Sequence, residues 1–178
     1  MINKQFQEEF DEARIYYDSL LDRELLSLFK KSQLTLSIAE GYTGGILAQR
    51  ISKFNESQKF FKAALISSDT KTQINLFNIS PTIIKTHGLI SKESSLNICE
   101  KLTQTFKTDI CISTLGTKHK ESTNEDICFI GIKIKDELKT KQFILSGGLE
   151  TKRKVVVQGC LSHLKTVLQN KITSLQIT

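Results

Sequence analysis

The sequence predicts an α/β fold, a three-layer α/β/α sandwich built on a mixed β-sheet. Three observations carry that expectation. Helical and strand patterns alternate through the first two-thirds of the 178 residues, which implies parallel strands with helices on both faces. Two neighbouring strand patterns near the end imply an antiparallel pair in the same sheet. Residues 34–45, Leu-Thr-Leu-Ser-Ile-Ala-Glu-Gly-Tyr-Thr-Gly-Gly, read as a strand entering a helix through a glycine-rich turn, where α/β folds usually keep their chemistry.

Each element follows from local pattern. Over residues 4–31, Phe6, Phe10, Ala13, Tyr17, Leu20, Leu21, Leu25 and Leu28 recur at helical spacing, giving one long amphipathic helix or two helices broken near Ser19. Leu34–Glu40 is a short strand. Thr43 is placed to cap the following helix, and Gly44-Gly45 permits close backbone approach there. Phe60–Ser67 is a second strand, followed by a short helix over Lys71–Leu76. Ser80-Pro81 starts a helix that Gly88 closes, and Ser91 caps the next, which runs to about Phe106.

Asp109–Leu115 is the third strand, and the polar residues 116–126 form a surface loop. Strands Ile127–Lys135 and Lys139–Leu145 are joined by a turn at Asp136-Glu137-Leu138. After Ser146-Gly147-Gly148, a terminal helix carries Val156, Val157, Cys160, Leu161, Leu164 and Leu168 on one face. The chain reads as a single domain over 1–178. Residues 1–33 form an N-terminal amphipathic helical segment and 34–172 the α/β core.

With 39% hydrophobic and 25% charged residues, the composition is that of a globular protein. No apolar run has the length of a membrane span, and the Gln-, Glu- and Asp-rich N-terminus lacks a signal peptide's apolar stretch, so a cytoplasmic protein without membrane contact is expected. Cys99, Cys111, Cys128 and Cys160 are widely separated and have no adjacent histidines, which fits buried thiols and no metal. No cofactor is indicated. His87, His119 and His163 are scattered and fit capping, packing or exposure better than catalysis.

The net charge of +6 raises nucleic acid as a partner. The charge is diffuse, however, and its densest cluster, Lys152-Arg153-Lys154, has no aromatic interleaving. A solvated basic helix face is expected there, and nucleic acid is disfavoured. The amphipathic N-terminal segment offers a surface for homo-oligomerisation.

Four loops end strands and are candidate site loops: Glu40–Gly45, Ser67–Lys71, Ser113–Asp126 and Ser146–Gly148. The first is the strongest, because free N–H groups at a helix N-terminus behind two glycines suit a phosphate or oxyanion. A tight strand-to-helix connection explains the same turn without a ligand. Ligand-binding candidates are Glu40, Thr43, Gly44, Gly45, Ser113, Gly116 and Ser146, and the expected ligand is nucleotide-like or phosphorylated.

The order of motifs is more specific than any one of them. Ala39-Glu-x-x-Thr-Gly-Gly45 is followed by Ser67-Ser-Asp-Thr-Lys-Thr-Gln73, then His87-Gly-Leu-Ile-Ser91, Ile112-Ser113 and Leu145-Ser-Gly147. This order resembles the CinA C-terminal domain family of bacterial competence/damage-inducible proteins, over roughly residues 15–170. Its active members are nicotinamide mononucleotide amidohydrolases.

The resemblance implies a serine nucleophile assisted by a lysine and a tyrosine. Lys71 matches the lysine. The serine position is Gly41 and the tyrosine position is Ile66. The family's glycine-rich loop after the third strand reads Thr114-Leu-Gly-Thr-Lys118 here, and its Gly-Asp-Arg becomes Gly147-Gly148-Leu149. Attack on an amide needs an oxygen to bond to carbon and a base to take its proton; Gly41 supplies no oxygen and Ile66 relays no proton. The expectation is an impaired homologue with a ligand-binding or regulatory role. Two alternatives are an active amidohydrolase that uses a relocated nucleophile such as Ser67 or Ser68, and a nucleic-acid-associated protein.

Overall fold

A computed structural model describes residues 20–117 and 125–176. Its elements are α1 (Leu20–Ser32), β1 (Leu36–Glu40), α2 (Ile46–Ser52), a 3₁₀ turn (Ser57–Lys59), β2 (Phe61–Ile66), α3 (Thr70–Leu76), α4 (Pro81–His87), α5 (Lys92–Phe106), β3 (Ile110–Gly116), β4 (Glu125–Ile134), β5 (Glu137–Ser146) and α6 (Leu149–Gln176). The expected helical residues 4–19 and the loop residues 118–124 lie outside the described residues.

The five strands form one mixed sheet in the order β2-β1-β3-β4-β5. β1 pairs in parallel with both β2 and β3, whereas β3–β4 and β4–β5 are antiparallel. The C-terminal ends of β1, β2, β3 and β5 therefore lie along one edge, and the described residues of the four expected site loops share it.

Strand alternation sorts side chains into two cores, one on each face. Leu36, Ile38, Ile110, Ile112, Cys128, Ile130 and Ile132 face α1, α2 and α6, with Val156, Cys160, Leu161 and Leu164 filling the gap from α6. Ala39, Cys111 and Leu115 face the other way, onto Ile98, Cys99 and Leu102 of α5 with Phe77 and Ile79 after α3. The expected three-layer α/β/α architecture is thus the observed one. The stripe expected on α6 is the buried stripe, and all four thiols are buried in the two cores.

Polar pairs fix how the helices sit. Arg50 of α2 forms a buried ion pair with Asp22 of α1 at 3.0 Å and donates to Gln158 of α6 at 3.0 Å. Lys165 of α6 meets Glu24 of α1 at 2.6 Å. α5 lies close on β3 and β4 because Gly131 has no side chain: a Cβ there would stand 2.7 Å from both the Ser95 carbonyl oxygen and Ser113 Oγ.

Several local expectations change. The β4–β5 connection is tighter than expected, with only Lys135 and Asp136 between the strands and Lys135 in the left-handed region at φ 49°. β4 begins at Glu125, inside the segment expected to be loop. Ser91 caps α5 by accepting from Ser94 N at 3.1 Å, as expected. Ser80 precedes Pro81 but makes no side-chain cap bond, so proline geometry alone starts α4.

Candidate functional site

At the end of β1, Glu40 is fully buried and points into the first turn of α2. Its carboxylate accepts from Gly45 N (2.8 Å), Leu47 N (3.2 Å) and Ala48 N (2.7 Å), and from the Thr43 hydroxyl (2.5 Å). Thr43 Oγ1 also lies 2.9 Å from Thr114 Oγ1 of β3. The protein's own carboxylate therefore occupies the positive end of α2.

Two expectations change as a result. Thr43 does not cap α2; Gly45 is the N-cap residue, without a side-chain bond of its own. The N–H groups of Gly45, Leu47 and Ala48 at this helix start are taken by Glu40 rather than left for a phosphate. Gly44 and Gly45 have φ of 65° and 98°, a backbone that side chains with a Cβ adopt only under strain, and this is what folds the turn back over the carboxylate.

Gly41, at the position where the sequence resemblance implies a serine, is pinned from two sides. Its N–H donates to the Thr114 carbonyl at 2.8 Å, and its own carbonyl accepts from Gln73 Nε2 at 3.1 Å. Gln73 is buried and also donates to the Ser67 carbonyl at 2.8 Å, tying the β1 loop to the β2 loop. A Cβ on Gly41 would lie 2.9 Å from the Thr114 carbonyl oxygen, closer than real Cβ contacts come. The backbone has closed where a serine would need room.

Tyr42, next in sequence, is 1% exposed and turns inward. Its hydroxyl donates to Asp126 Oδ2 at 2.6 Å, and Lys152 Nζ stands 3.3 Å from Asp126 Oδ1. Its ring fills the space a Cβ on Gly116 would claim, at 2.5 Å. Arg153 Nε donates to the Tyr42 carbonyl at 3.0 Å, with its guanidinium over Gly44. The basic face expected at Lys152-Arg153-Lys154 is thus corrected. Lys152 is 3% exposed inside an ion pair, Arg153 folds onto the turn, and Lys154 pairs with Glu150 at 2.7 Å. Sequence reading missed Asp126, Lys152 and Arg153, because helical periodicity does not show that a distant carboxylate draws a lysine inward.

The remaining candidates separate. Lys71 is exposed on the first turn of α3, which Asp69 caps by accepting from Thr72 N at 2.8 Å. Ile66 is 50% exposed, and its Cδ1 would touch a Cβ on Gly45 at 3.4 Å. Ser113 is buried under α5, donating to the Ser95 carbonyl at 2.7 Å, and Ser146 is exposed at the end of β5. Ser67 donates to the Asp69 carbonyl at 3.3 Å.

A cleft of about 460 Å³ opens at Gly41. Gly41, Gln73 and Gly116 are among its lining residues. Ser68, Thr70 and Thr117 supply hydroxyls, Leu89, Ile90 and Ile127 form apolar walls, and Glu125 lines it from the start of β4. The cleft thus brings together loops ending β1, β2 and β3. Lys71 and Ile66 are not among its lining residues.

Burial raises the Tyr42 hydroxyl pKa strongly, and the hydrogen bond to Asp126 adds to the rise. Burial likewise raises the Cys111 and Cys160 thiols and pushes Cys128 up to about 12. These thiols are not poised nucleophiles. His163 is lowered by burial and by Lys141 and Lys139, while His87 sits 3.9 Å from Glu93 at the end of α4, so neither histidine belongs to the cleft.

Fold and turn together define a three-layer α/β/α domain with a carboxylate-capped strand-to-helix turn. Residues 18–168 match the model of the CinA C-terminal domain, and the chain belongs to that family. It is 30% identical over 157 residues to the CinA-like protein of Dictyoglomus thermophilum, an alignment spanning 86% of this chain and 38% of that protein. The chain covers well under half the length of the curated relatives it matches, 43% for one from Finegoldia magna and 33% for one from Dictyoglomus turgidum. Among solved structures, the competence or damage-inducible protein of Enterobacter asburiae superposes with a TM-score of 0.76 at 18% identity, over 83% of this chain and 96% of that one. A CinA superfamily protein of Enterobacter cloacae gives 0.75 at 19%, over 83% and 90%. These two likenesses show the fold.

Replacing Glu40 by Gln puts an amide donor against N–H donors and leaves at least one unsatisfied. Unfolding free energy is expected to fall by about 1–3 kcal/mol, measured by urea titration with an unchanged m-value. The raised hydroxyl and thiol pKa values give a second expectation. The folded state holds protons that the unfolded chain releases, so stability is intact at neutral pH and falls as pH rises past the ordinary thiol and phenol values, about 8.5 and 10. Tyr42→Phe should be less stable than the native protein at pH 8, and the gap should narrow above pH 10. A gap that widens there would contradict the assignment.

Proposed function

We propose that this domain is a CinA-family protein without serine amidohydrolase activity, whose cleft at Gly41 still binds a ligand. One observation carries the reading. The family's nucleophile position opens on the cleft as a glycine, and the Thr114 carbonyl oxygen occupies the space a serine Cβ would need. Loss of the nucleophile from a catalytic set costs about 10⁶-fold in turnover. The tyrosine position supports the same reading, because Ile66 neither donates nor relays a proton. Lys71 is retained, but it is exposed and has no serine at position 41 to deprotonate.

The alternative, an active nicotinamide-nucleotide amidohydrolase with a relocated nucleophile, has one point in its favour: Ser68 lines the same cleft. A nucleic-acid role loses support, since Lys152 of the densest basic cluster is buried in an ion pair and Arg153 is bonded to the Tyr42 carbonyl. Homo-oligomerisation and a cytoplasmic setting remain part of the proposal on the grounds of the sequence alone.

Ammonia release from nicotinamide mononucleotide tests the reading. The native protein should match a Lys71→Ala variant at background rate. Turnover that Ser68→Ala abolishes would establish the relocated nucleophile instead. Gly41→Ser with Ile66→Tyr should fail to restore turnover and should lower stability by about 1–3 kcal/mol, as overpacked positions do.

A further inference from the structure

Among the described residues, His163 Nε2 is the buried side-chain nitrogen left without a hydrogen-bond partner. It lies in the seam between α6 and the outer strand β5, and two contacts set the register of that seam. The Phe143 ring of β5 comes within 2.5 Å of where a Cβ on Gly159 would stand, so a glycine is what lets strand and helix approach this closely. Further along α6, Lys171 Nζ reaches Glu137 of β5 at 3.5 Å. The strand from Phe143 back to Glu137 spans about 20 Å and the helix from Gly159 to Lys171 about 18 Å, so the two run antiparallel in step. His163, one turn past Gly159, therefore stands level with Lys141.

The charges along the seam are positive where His163 sits. Lys141 and Lys139 share the Phe143 face of β5, and Lys141 Nζ lies 5.2 Å from the centre of the Phe143 ring. The nearby carboxylate, Glu137, already meets Lys139 at 3.5 Å as well as Lys171. α1 packs on the opposite flank of α6, where Lys165 holds Glu24. Burial and the two lysines hold the imidazole below its ordinary titration range. Protonation would turn the sealed Nε2 into a cationic donor without an acceptor, beside two ammonium groups.

We propose that the β5–α6 seam is an acid-sensitive latch, in which protonation of His163 frees β5 from α6 while the rest of the sheet stays closed. An imidazolium turned out to water escapes both costs. β5 is an edge strand bonded to β4 alone, so it opens without unfolding the sheet. In the opened form the imidazole titrates near its ordinary value, about 6.5, and in the closed form below it, so the opened form takes up the proton first as pH falls. Opening therefore grows as pH drops through about 6.5 and levels off once the closed form is protonated too. The latch is independent of what the cleft binds.

Hydrogen exchange of the full chain, read by mass spectrometry and corrected for the intrinsic pH dependence of exchange, tests this. Between about pH 7.5 and 5.5 the β5 amides should exchange faster by a factor approaching about tenfold, the limit set by an ordinary imidazole, while β1 and β3 amides keep their protection. His163→Leu, which fills the seam without a titrating group, should abolish the acceleration. Lys141→Glu, which sets a carboxylate against the imidazolium, should shrink it and raise the His163 titration midpoint read by NMR. No acceleration in β5, the same acceleration in His163→Leu, equal acceleration in β1 and β3, or a midpoint that Lys141→Glu leaves unchanged overturns the proposal.

Discussion

The Glu40 carboxylate is the contact on which the site end of the molecule depends. It leaves the C-terminal end of β1 and is held by three backbone N–H groups of α2 and by Thr43. A buried carboxylate stripped of water is costly unless it is fully hydrogen-bonded, and a helix start without partners is costly for the converse reason. Each group resolves the other. The exchange fixes how the chain turns at Gly44 and Gly45, and so where Gly41 and Tyr42 lie.

Two different sites flank that turn. On one side Tyr42, Asp126 and Lys152 form a buried, charge-balanced lock that joins the β1 loop to β4 and α6. On the other side Gly41 opens on the cleft, pinned by Thr114 and Gln73. Removing one member of a buried ion pair leaves an uncompensated buried charge, so the lock depends on Asp126 and Lys152 together. The features that hold the fold sit on the locked side. Gly41 sits on the open side.

Much of the fold was legible in the sequence. Alternation at period two and at period 3.6 located every strand and most helices, because burial on two faces of one sheet imposes those periods. The α6 stripe from Val156 to Leu168 was readable for the same reason. Boundaries moved by a residue or two where the backbone, rather than side chains, decides them, as at Lys135-Asp136. The site was less legible. Gly41 and Ile66 stood out only against a family pattern. The true cap of α2 was hidden, since a glutamate before the turn does the work that local rules assign to Thr43. Lys152 and Arg153 read as surface because their partners, Asp126 and the Tyr42 carbonyl, lie far away in the chain.

We propose a cleft without an activated nucleophile among its described residues, and covalent labelling tests that proposal. The native protein would be treated with a serine-reactive fluorophosphonate and mapped by peptide mass spectrometry. No stoichiometric adduct is expected on Ser68, Thr70 or Thr117 of the cleft, or on Ser67 next to it in sequence. A stoichiometric adduct on Ser67 or Ser68 that disappears in Lys71→Ala would contradict it.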